Sequence, residues 1–176
     1  MLKKLFGLDK NEDQQSTTEE TPTEETVFAV ANGTLVALED VPDPTFSQKM
    51  IGDGAAIEPT DGKVVAPIAG DVIQVFPTGH AVGIRTKGGA ELLIHIGLET
   101  VNMDGEGFTA HVKEGDSVDV GSLLVEYDLE LVKEKASSTL IPVVVTNHED
   151  LGGIQAETTG ASEAGSTAHL TVKYKR

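Results

Sequence analysis

The sequence predicts an all-β protein, a sandwich or barrel of short antiparallel strands. Short apolar runs rich in Val, Ile and Leu recur from Val27 onward. Gly, Pro and Asp separate these runs at close spacing, as is typical of sandwiches and barrels. Only Glu130–Ser137 has the character of a short helix. These observations favour a single folded domain over residues 27–176.

The predicted elements follow one another with clear turn signals. About eight strands are expected. They are Thr34–Leu38, Lys63–Ala66, Asp71–Phe76, Ala81–Thr86, Glu91–Ile96, Leu123–Tyr127, Ile141–Thr146 and His169–Tyr174. The turns are predicted at Gly52-Asp53-Gly54, Asp61-Gly62, Gly70-Asp71, Gly88-Gly89 and Gly115-Asp116.

Residues 1–26 are predicted to form a flexible tail. Asn11–Thr26 contains no aromatic or aliphatic residue, so it cannot bury enough apolar surface to offset the entropy of ordering. Within residues 1–10, Leu2, Leu5 and Phe6 have helical spacing beside lysines. This pattern is compatible with weak contact between residues 1–10 and an anionic membrane surface.

Composition excludes several classes of function. The chain has no Cys, which excludes disulfides, a Cys zinc site and a Cys nucleophile. The formal charge of −16 argues against nucleic acid as a partner, because phosphates attract Lys and Arg. No apolar run approaches the ~20 residues of a membrane span, and no secretory signal begins the sequence. We therefore expect a cytoplasmic protein.

Two of the five histidines flank one predicted hairpin, HAVGIRTKGGAELLIHIG. A two-residue or a four-residue turn would place both imidazoles on the same face, whereas a three-residue loop would place them on opposite faces. Turn preferences favour the registers with a shared face. That face would hold His80, Val82, Ile84, Leu93, His95 and Gly97.

Three chemistries could use such a pair. A metal site would need a third ligand, which no H-x-H or H-E-x-x-H spacing supplies. Acid–base hydrolysis would need a positioned nucleophile or a metal. Nucleophilic catalysis by imidazole, with a phosphoryl group carried on nitrogen, needs one free nitrogen, an acceptor for the other nitrogen and a nearby donor. The histidine pattern alone leaves all three open.

Six blocks of sequence carry a resemblance to a known family, and the LLIHIGLETV block with its upstream T-x-H is the most specific. The blocks are Val41–Gly54, Val65–Gly70, Phe76–Ala81, Glu91–Val101, Gly105–Phe108 and Ser138–Val143. In them the chain resembles enzyme IIA, glucose family, of the bacterial phosphoenolpyruvate-dependent sugar phosphotransferase system. The resemblance implies a Greek-key antiparallel β-sandwich of the barrel–sandwich hybrid type and a phosphocarrier function.

The resemblance also implies roles for particular residues. His95 would take a phosphoryl group on Nε2 from the histidine-containing phosphocarrier protein (HPr) and pass it to a cysteine of the enzyme IIB domain of a IIB/IIC permease. His80 would hydrogen-bond the phosphoryl group, and Thr78 would orient His80. The carbonyl of Gly97 would accept the Nδ1–H of His95. No metal is required, although His80 and His95 could share zinc with a partner carboxylate.

A docking rim around the histidines is implied as well. Its acidic members could meet basic residues on HPr. The apolar rim positions are Phe46, Met50, Ile51, Phe76, Leu93 and Val101, and the acidic ones are Asp43 and Glu99.

The three remaining histidines, His111, His148 and His169, match no family motif and are expected to be structural or solvated.

Other functions besides the phosphocarrier are compatible with the sequence. A zinc hydrolase on a related fold and a purely regulatory binding module on the same fold are the alternative functions. The sequence identifies neither the sugar nor any regulatory target.

Overall fold

A computed structural model describes residues 22–175. The predicted membrane contact of residues 1–10 and most of the predicted tail lie outside the described residues. Within the described part, every strand pairing is antiparallel, and the two α-helices are short. They are α1 (Pro44–Ser47) and α2 (Leu129–Lys135), and no described helix is long and apolar enough to cross a membrane. The predicted all-β fold is confirmed.

The largest sheet has eight strands and carries the histidine hairpin. Its spatial order interleaves strands that are distant in sequence. In that order the strands are β9 (Ser117–Val118), β5 (Gly70–Val75), β6 (Ala81–Thr86), β7 (Glu91–His95), β11 (Ile141–Val145), β3 (Asp53–Pro59), β2 (Gly33–Ala37) and β13 (Ala161–Ser162).

Two three-stranded sheets complete the fold. The first contains, in order, β4 (Lys63–Val65), β10 (Leu123–Tyr127) and β8 (Phe108–Ala110). The second contains β12 (Gly153–Ala156), β14 (Ala168–Lys173) and β1 (Glu24–Phe28). Single 3₁₀ turns cover Leu38–Asp40, Thr100–Met103 and His148–Asp150.

The two faces of the large sheet bury two separate apolar clusters. Alternate residues of a strand point to opposite faces, so neighbours in sequence belong to different clusters. Leu92 and Ile94 of β7 lie in the main core, whereas Leu93 packs against a smaller cluster. The buried members of the smaller cluster are Leu38, Val41, Phe46, Ala56, Leu98 and Val144.

Two predicted turns and the tail boundary are wrong. Gly52-Asp53-Gly54 leads into the central strand β3, and Gly70-Asp71 begins β5. A side chain at Gly54 would lie 2.0 Å from the Val143 carbonyl oxygen, so this strand needs small residues that look like a turn in the sequence. The predicted tail ended at Thr26, but Glu24–Phe28 pairs with β14 and belongs to the folded part.

The register of the β6–β7 hairpin is also not the one predicted. Ala81 pairs with His95, and Thr86 N–H donates to the Ala90 carbonyl at 2.9 Å, which closes a three-residue loop that ends at Gly89, with φ of 102°. Glycine adopts this backbone conformation without strain and favours such a loop. The predicted shared face is therefore wrong, since Val82 and Ile84 point into the main core, away from His95.

Candidate active site

His80 reaches His95 because it lies just outside strand β6. Strand alternation would otherwise direct it to the core face. A tight turn closed by Gly79 N–H to the Phe76 carbonyl (2.8 Å) precedes it, and the His80 carbonyl accepts from Ile96 N–H at 2.7 Å. The two imidazole centroids lie 5.0 Å apart, with the ring planes at 75°. The two histidines thus meet as expected, but at the end of the hairpin rather than across one strand face.

His95 presents one free ring nitrogen. Its Nδ1–H donates to the Gly97 carbonyl at 2.8 Å, which leaves the lone pair of Nε2 available. Burial lowers the pKa of His95, and the Gly97 hydrogen bond and the Asp43 carboxylate oppose this shift only in part. At pH 7 the ring is therefore neutral and can act as a nucleophile.

His80 is the more deeply buried of the pair, with 2% of its surface exposed. Burial, and secondly the nearby His95, lower the pKa of His80 to about 4. Its Nδ1 is hydrogen-bonded to the hydroxyl of Thr78, the residue expected to orient it. Both imidazoles of the pair are thus neutral at pH 7.

Each histidine also has an aromatic neighbour. Phe46 lies 5.4 Å from His95 between ring centroids, and Phe76 lies 5.3 Å from His80 with the planes at 77°. Phe46 is only 3% exposed, so it supports the His95 ring from the smaller cluster rather than lining an open rim.

Helix α1 holds Phe46 in this place. The Asp43 carboxylate caps the helix by accepting from the backbone N–H of Thr45 at 3.0 Å and from its hydroxyl at 2.6 Å. Pro44 occupies the first turn, where its missing N–H costs nothing. Asp43 therefore builds the site as well as placing a negative charge near His95.

A turn after β7 positions the Gly97 carbonyl. Gly97 has φ of 76°, and a side chain there would meet the Thr100 methyl at 2.6 Å, so only glycine fits. Leu98 N–H donates to the Ser138 carbonyl at 3.0 Å. Ser138 lies in a family block, but nothing local in the sequence brings the two segments together, so this contact could not be predicted.

The remaining rim positions differ in exposure. Met50 and Val101 are 68% and 53% exposed, which is unusual for large apolar side chains. Ile51, Phe76 and Leu93 are half-buried, and Glu99 is exposed. Met50, Val101 and Glu99 are thus the rim positions most accessible to a partner, whereas the other predicted rim positions are partly or fully buried.

The other histidines take no part in this site. His111 Nε2 lies 2.9 Å from Glu126 at the surface, and His169 is buried without a hydrogen-bond partner among the described residues. His148 lies in a 3₁₀ turn. Within residues 22–175, no group of three or more His, Cys, Asp or Glu side chains is arranged to hold a metal. His80 and His95 alone offer two of the four ligands that zinc usually takes.

On this antiparallel β-fold, a neutral, partly exposed imidazole with a free Nε2 lies beside a second neutral imidazole, an arrangement that suits a group-transfer protein. Comparison with known proteins gives the particular family. Residues 25–151 match the family described as phosphoenolpyruvate-dependent sugar phosphotransferase system, EIIA 1. The chain belongs to this family and is a phosphocarrier component of sugar uptake.

Individual relatives agree with this assignment. The PTS system glucose-specific EIIA component of Halalkalibacterium halodurans is 64% identical over 175 residues, covering 99% of both chains. The component of the same name from Bacillus cereus is 47% identical over 99% of this chain and 100% of its own. The solved structure of glucose permease IIA from Mycoplasma capricolum has a TM-score of 0.77 and 36% identity, covering 85% of this chain and 96% of that one. None of these comparisons supports the zinc hydrolase alternative.

Proposed function

We propose that His95 accepts a phosphoryl group from phospho-HPr and passes it to an enzyme IIB cysteine, in the cytoplasm. The observation that carries the proposal is the hydrogen bond from His95 Nδ1–H to the Gly97 carbonyl, which leaves Nε2 free beside a second neutral imidazole. Because the relatives are named glucose-specific, we extend the proposal to glucose as the sugar served.

The first half-reaction forms one bond and breaks one. The lone pair of His95 Nε2 attacks the phosphorus, the donor nitrogen–phosphorus bond breaks, and its electron pair returns to the donor imidazole. The Gly97 carbonyl stabilises the positive charge that develops on the His95 ring. Catalysis then depends on positioning and electrostatics, and no metal or other cofactor is required.

His80 has a different role in this proposal. If the Thr78 hydroxyl donates to His80 Nδ1, then His80 Nε2 carries the proton and can donate to a phosphoryl oxygen. In the second half-reaction a cysteine thiolate attacks the phosphorus, and the electron pair of the Nε2–phosphorus bond returns to His95. A donor that stabilises the phosphoryl oxygens as this bond breaks favours onward transfer.

Single substitutions separate the two roles. Incubation with enzyme I, HPr and phosphoenolpyruvate should add one acid-labile phosphoryl group, about 80 Da, to the wild type and to His80→Ala. His95→Ala should gain none, and phosphorylated His80→Ala should transfer poorly to enzyme IIB. The exposed residue His111 provides the matched control His111→Ala, which should behave like the wild type. A phosphorylated His95→Ala variant, or equal loss of both half-reactions in His80→Ala, would contradict the proposal.

A further inference from the structure

Two successive backbone hydrogen bonds hold the turn at residues 96–98 in place. Gly97 N–H donates to the Leu140 carbonyl at 3.0 Å, and Leu98 N–H donates to the Ser138 carbonyl at 3.0 Å. These two bonds fix the N–H ends of successive peptide planes. The Gly97 carbonyl, which accepts the His95 Nδ1–H, belongs to the second of these planes, the Gly97–Leu98 peptide. Its direction therefore also depends on the first plane, the Ile96–Gly97 peptide.

A buried side chain fixes the carbonyl end of the first plane. The Thr100 hydroxyl donates to the Ile96 carbonyl at 2.7 Å, and Thr100 is fully buried. Within residues 22–175, no loop or turn N–H donates to this carbonyl. The Ile96 carbonyl therefore depends on Thr100 for its hydrogen bond, and an unpaired buried carbonyl would favour rotation of the peptide.

The Thr100 methyl also restricts Gly97. A Cβ placed on Gly97 would lie 2.6 Å from Thr100 Cγ2, so the methyl occupies the space beside the glycine. Both branches of Thr100 thus act on the peptide that precedes the Gly97 carbonyl. The hydroxyl holds its direction and the methyl limits its movement.

We propose that Thr100 is a positioning residue for phosphoryl acceptance: its hydroxyl orients the Ile96–Gly97 peptide so that the Gly97 carbonyl keeps the proton of His95 on Nδ1. This inference rests on the proposed role of His95 as the phosphoryl acceptor. Without the Thr100 hydroxyl, the Gly97 carbonyl loses its alignment and the proton distributes between Nδ1 and Nε2. Molecules protonated at Nε2 have no lone pair there and cannot attack phosphorus.

The tautomer can be read directly from the unphosphorylated protein. In ¹⁵N-histidine-labelled full-length protein at pH 7.5, wild-type His95 should show a protonated Nδ1 and an unprotonated Nε2. Thr100→Val has the same shape without the hydroxyl and should show both nitrogens shifted toward intermediate values. Thr100→Ser restores the hydroxyl and should restore the wild-type shifts. If Thr100→Val does not fold, Thr100→Ala against Thr100→Ser makes the same comparison.

The rate of phosphoryl acceptance provides the second readout. Thr100→Val should accept the phosphoryl group from phospho-HPr about tenfold more slowly, and Thr100→Ser should recover most of that rate. The matched control is Ser162→Ala, which removes another buried hydroxyl, bonded to the Ala31 carbonyl at 2.7 Å on the distant strand β13. It should lose stability without changing the His95 shifts or the rate.

Wild-type His95 shifts and a wild-type rate in Thr100→Val would overturn the inference. Equal defects in Thr100→Val and Thr100→Ser would also overturn it, since the hydroxyl would then be irrelevant. The shifts are measured without any phosphoryl donor, so they test Thr100 even if His95 is not the acceptor. Failure of the wild type to become phosphorylated on His95 would instead count against the proposed function.

Discussion

Burial sets the protonation state of the histidines in this protein. For both His80 and His95, burial is the main cause that lowers the pKa, ahead of any neighbouring charge. A protonated imidazole has no lone pair to attack phosphorus, so this environment keeps the pair reactive at cellular pH. The same effect makes the fold sensitive to acid.

His169 should contribute most clearly to that acid sensitivity. Burial lowers its pKa to about 4 from 6.5, and the weaker opposing influence of the Ala56 backbone does not offset this. Between pH 6.5 and 4 the unfolded chain binds a proton that the folded chain does not, so stability is full above this window and falls as pH decreases. In urea unfolding, His169→Leu should reduce this pH-dependent loss by about 3 kcal/mol. An unchanged pH profile in the variant would contradict the argument.

Gly97 should be far less tolerant of substitution than another glycine of similar backbone conformation. Gly97→Ala adds a methyl that meets Thr100 and displaces the carbonyl that holds His95, so we expect a loss of about 2–4 kcal/mol and of phosphoryl acceptance. Gly89→Ala is the matched control: φ is also positive, but no atom lies within 4 Å of the added methyl. It should cost about 1 kcal/mol and leave acceptance intact. Equal effects on acceptance would show that the Gly97 carbonyl has no special role.

At the scale of elements, the hairpin β6–β7 has the histidines at one end and a polar cluster at the other. The Glu25 carboxylate accepts from Thr86 Oγ1 at 2.6 Å, from Gly88 N–H at 3.2 Å and from the Tyr174 hydroxyl. Burial and the Glu25 hydrogen bond raise the pKa of Tyr174 to about 12, so its hydroxyl stays protonated and donates. This cluster joins β1, the segment after β14 and the hairpin loop.

The cluster should contribute to the free energy of unfolding but not to the rate of phosphoryl acceptance. Tyr174→Phe removes one donor to a half-buried carboxylate and should cost about 1–3 kcal/mol in urea unfolding. Because the cluster lies at the far end of the hairpin from His95, phosphoryl acceptance by the folded variant should match the wild type. A slower acceptance rate at full folding would show that the hairpin transmits the change along its length.

The elements that the sequence predicted best are those with unbroken apolar runs. Ala81–Thr86 and Leu123–Tyr127 have the bounds predicted for them. Strand β3 was not predicted because Gly54 and the alanines beside it, small enough for close pairing, lack the bulky residues that mark a strand. The hairpin register was not predictable from Gly88-Gly89, since two-residue and three-residue loops both use glycine.

In the site, too, the residues in a recognisable local pattern were predictable from the sequence, and those that depend on tertiary contacts were not. The two histidines were identified from their hairpin and from the family blocks, and the hydrogen bond to Gly97 follows the family pattern. Thr100 lies in the LLIHIGLETV block, but neither the block nor its place after a strand indicated a role for it. Its importance depends on complete burial and on one carbonyl, which only the fold reveals.

At the scale of the whole molecule, charge and apolar surface are arranged for association with a partner. The chain carries a formal charge of −16, while Met50 and Val101, large apolar side chains close in sequence to Phe46 and His95, are exposed together with Glu99. An acidic surface attracts a basic partner at long range, and projecting apolar groups contribute most of their free energy after contact. This arrangement suits a carrier that must bind its donor and acceptor in turn.

In the proposed function, the phosphoryl group resides on Nε2 of His95. The most direct test is two-dimensional NMR of ¹⁵N-histidine-labelled, full-length protein after phosphorylation by enzyme I, HPr and phosphoenolpyruvate. We predict one phosphorus resonance, coupled to Nε2 of His95, while Nδ1 of the same ring keeps its proton. Coupling to Nδ1 of His95, or to either nitrogen of His80, would contradict the proposed role of His95 Nε2.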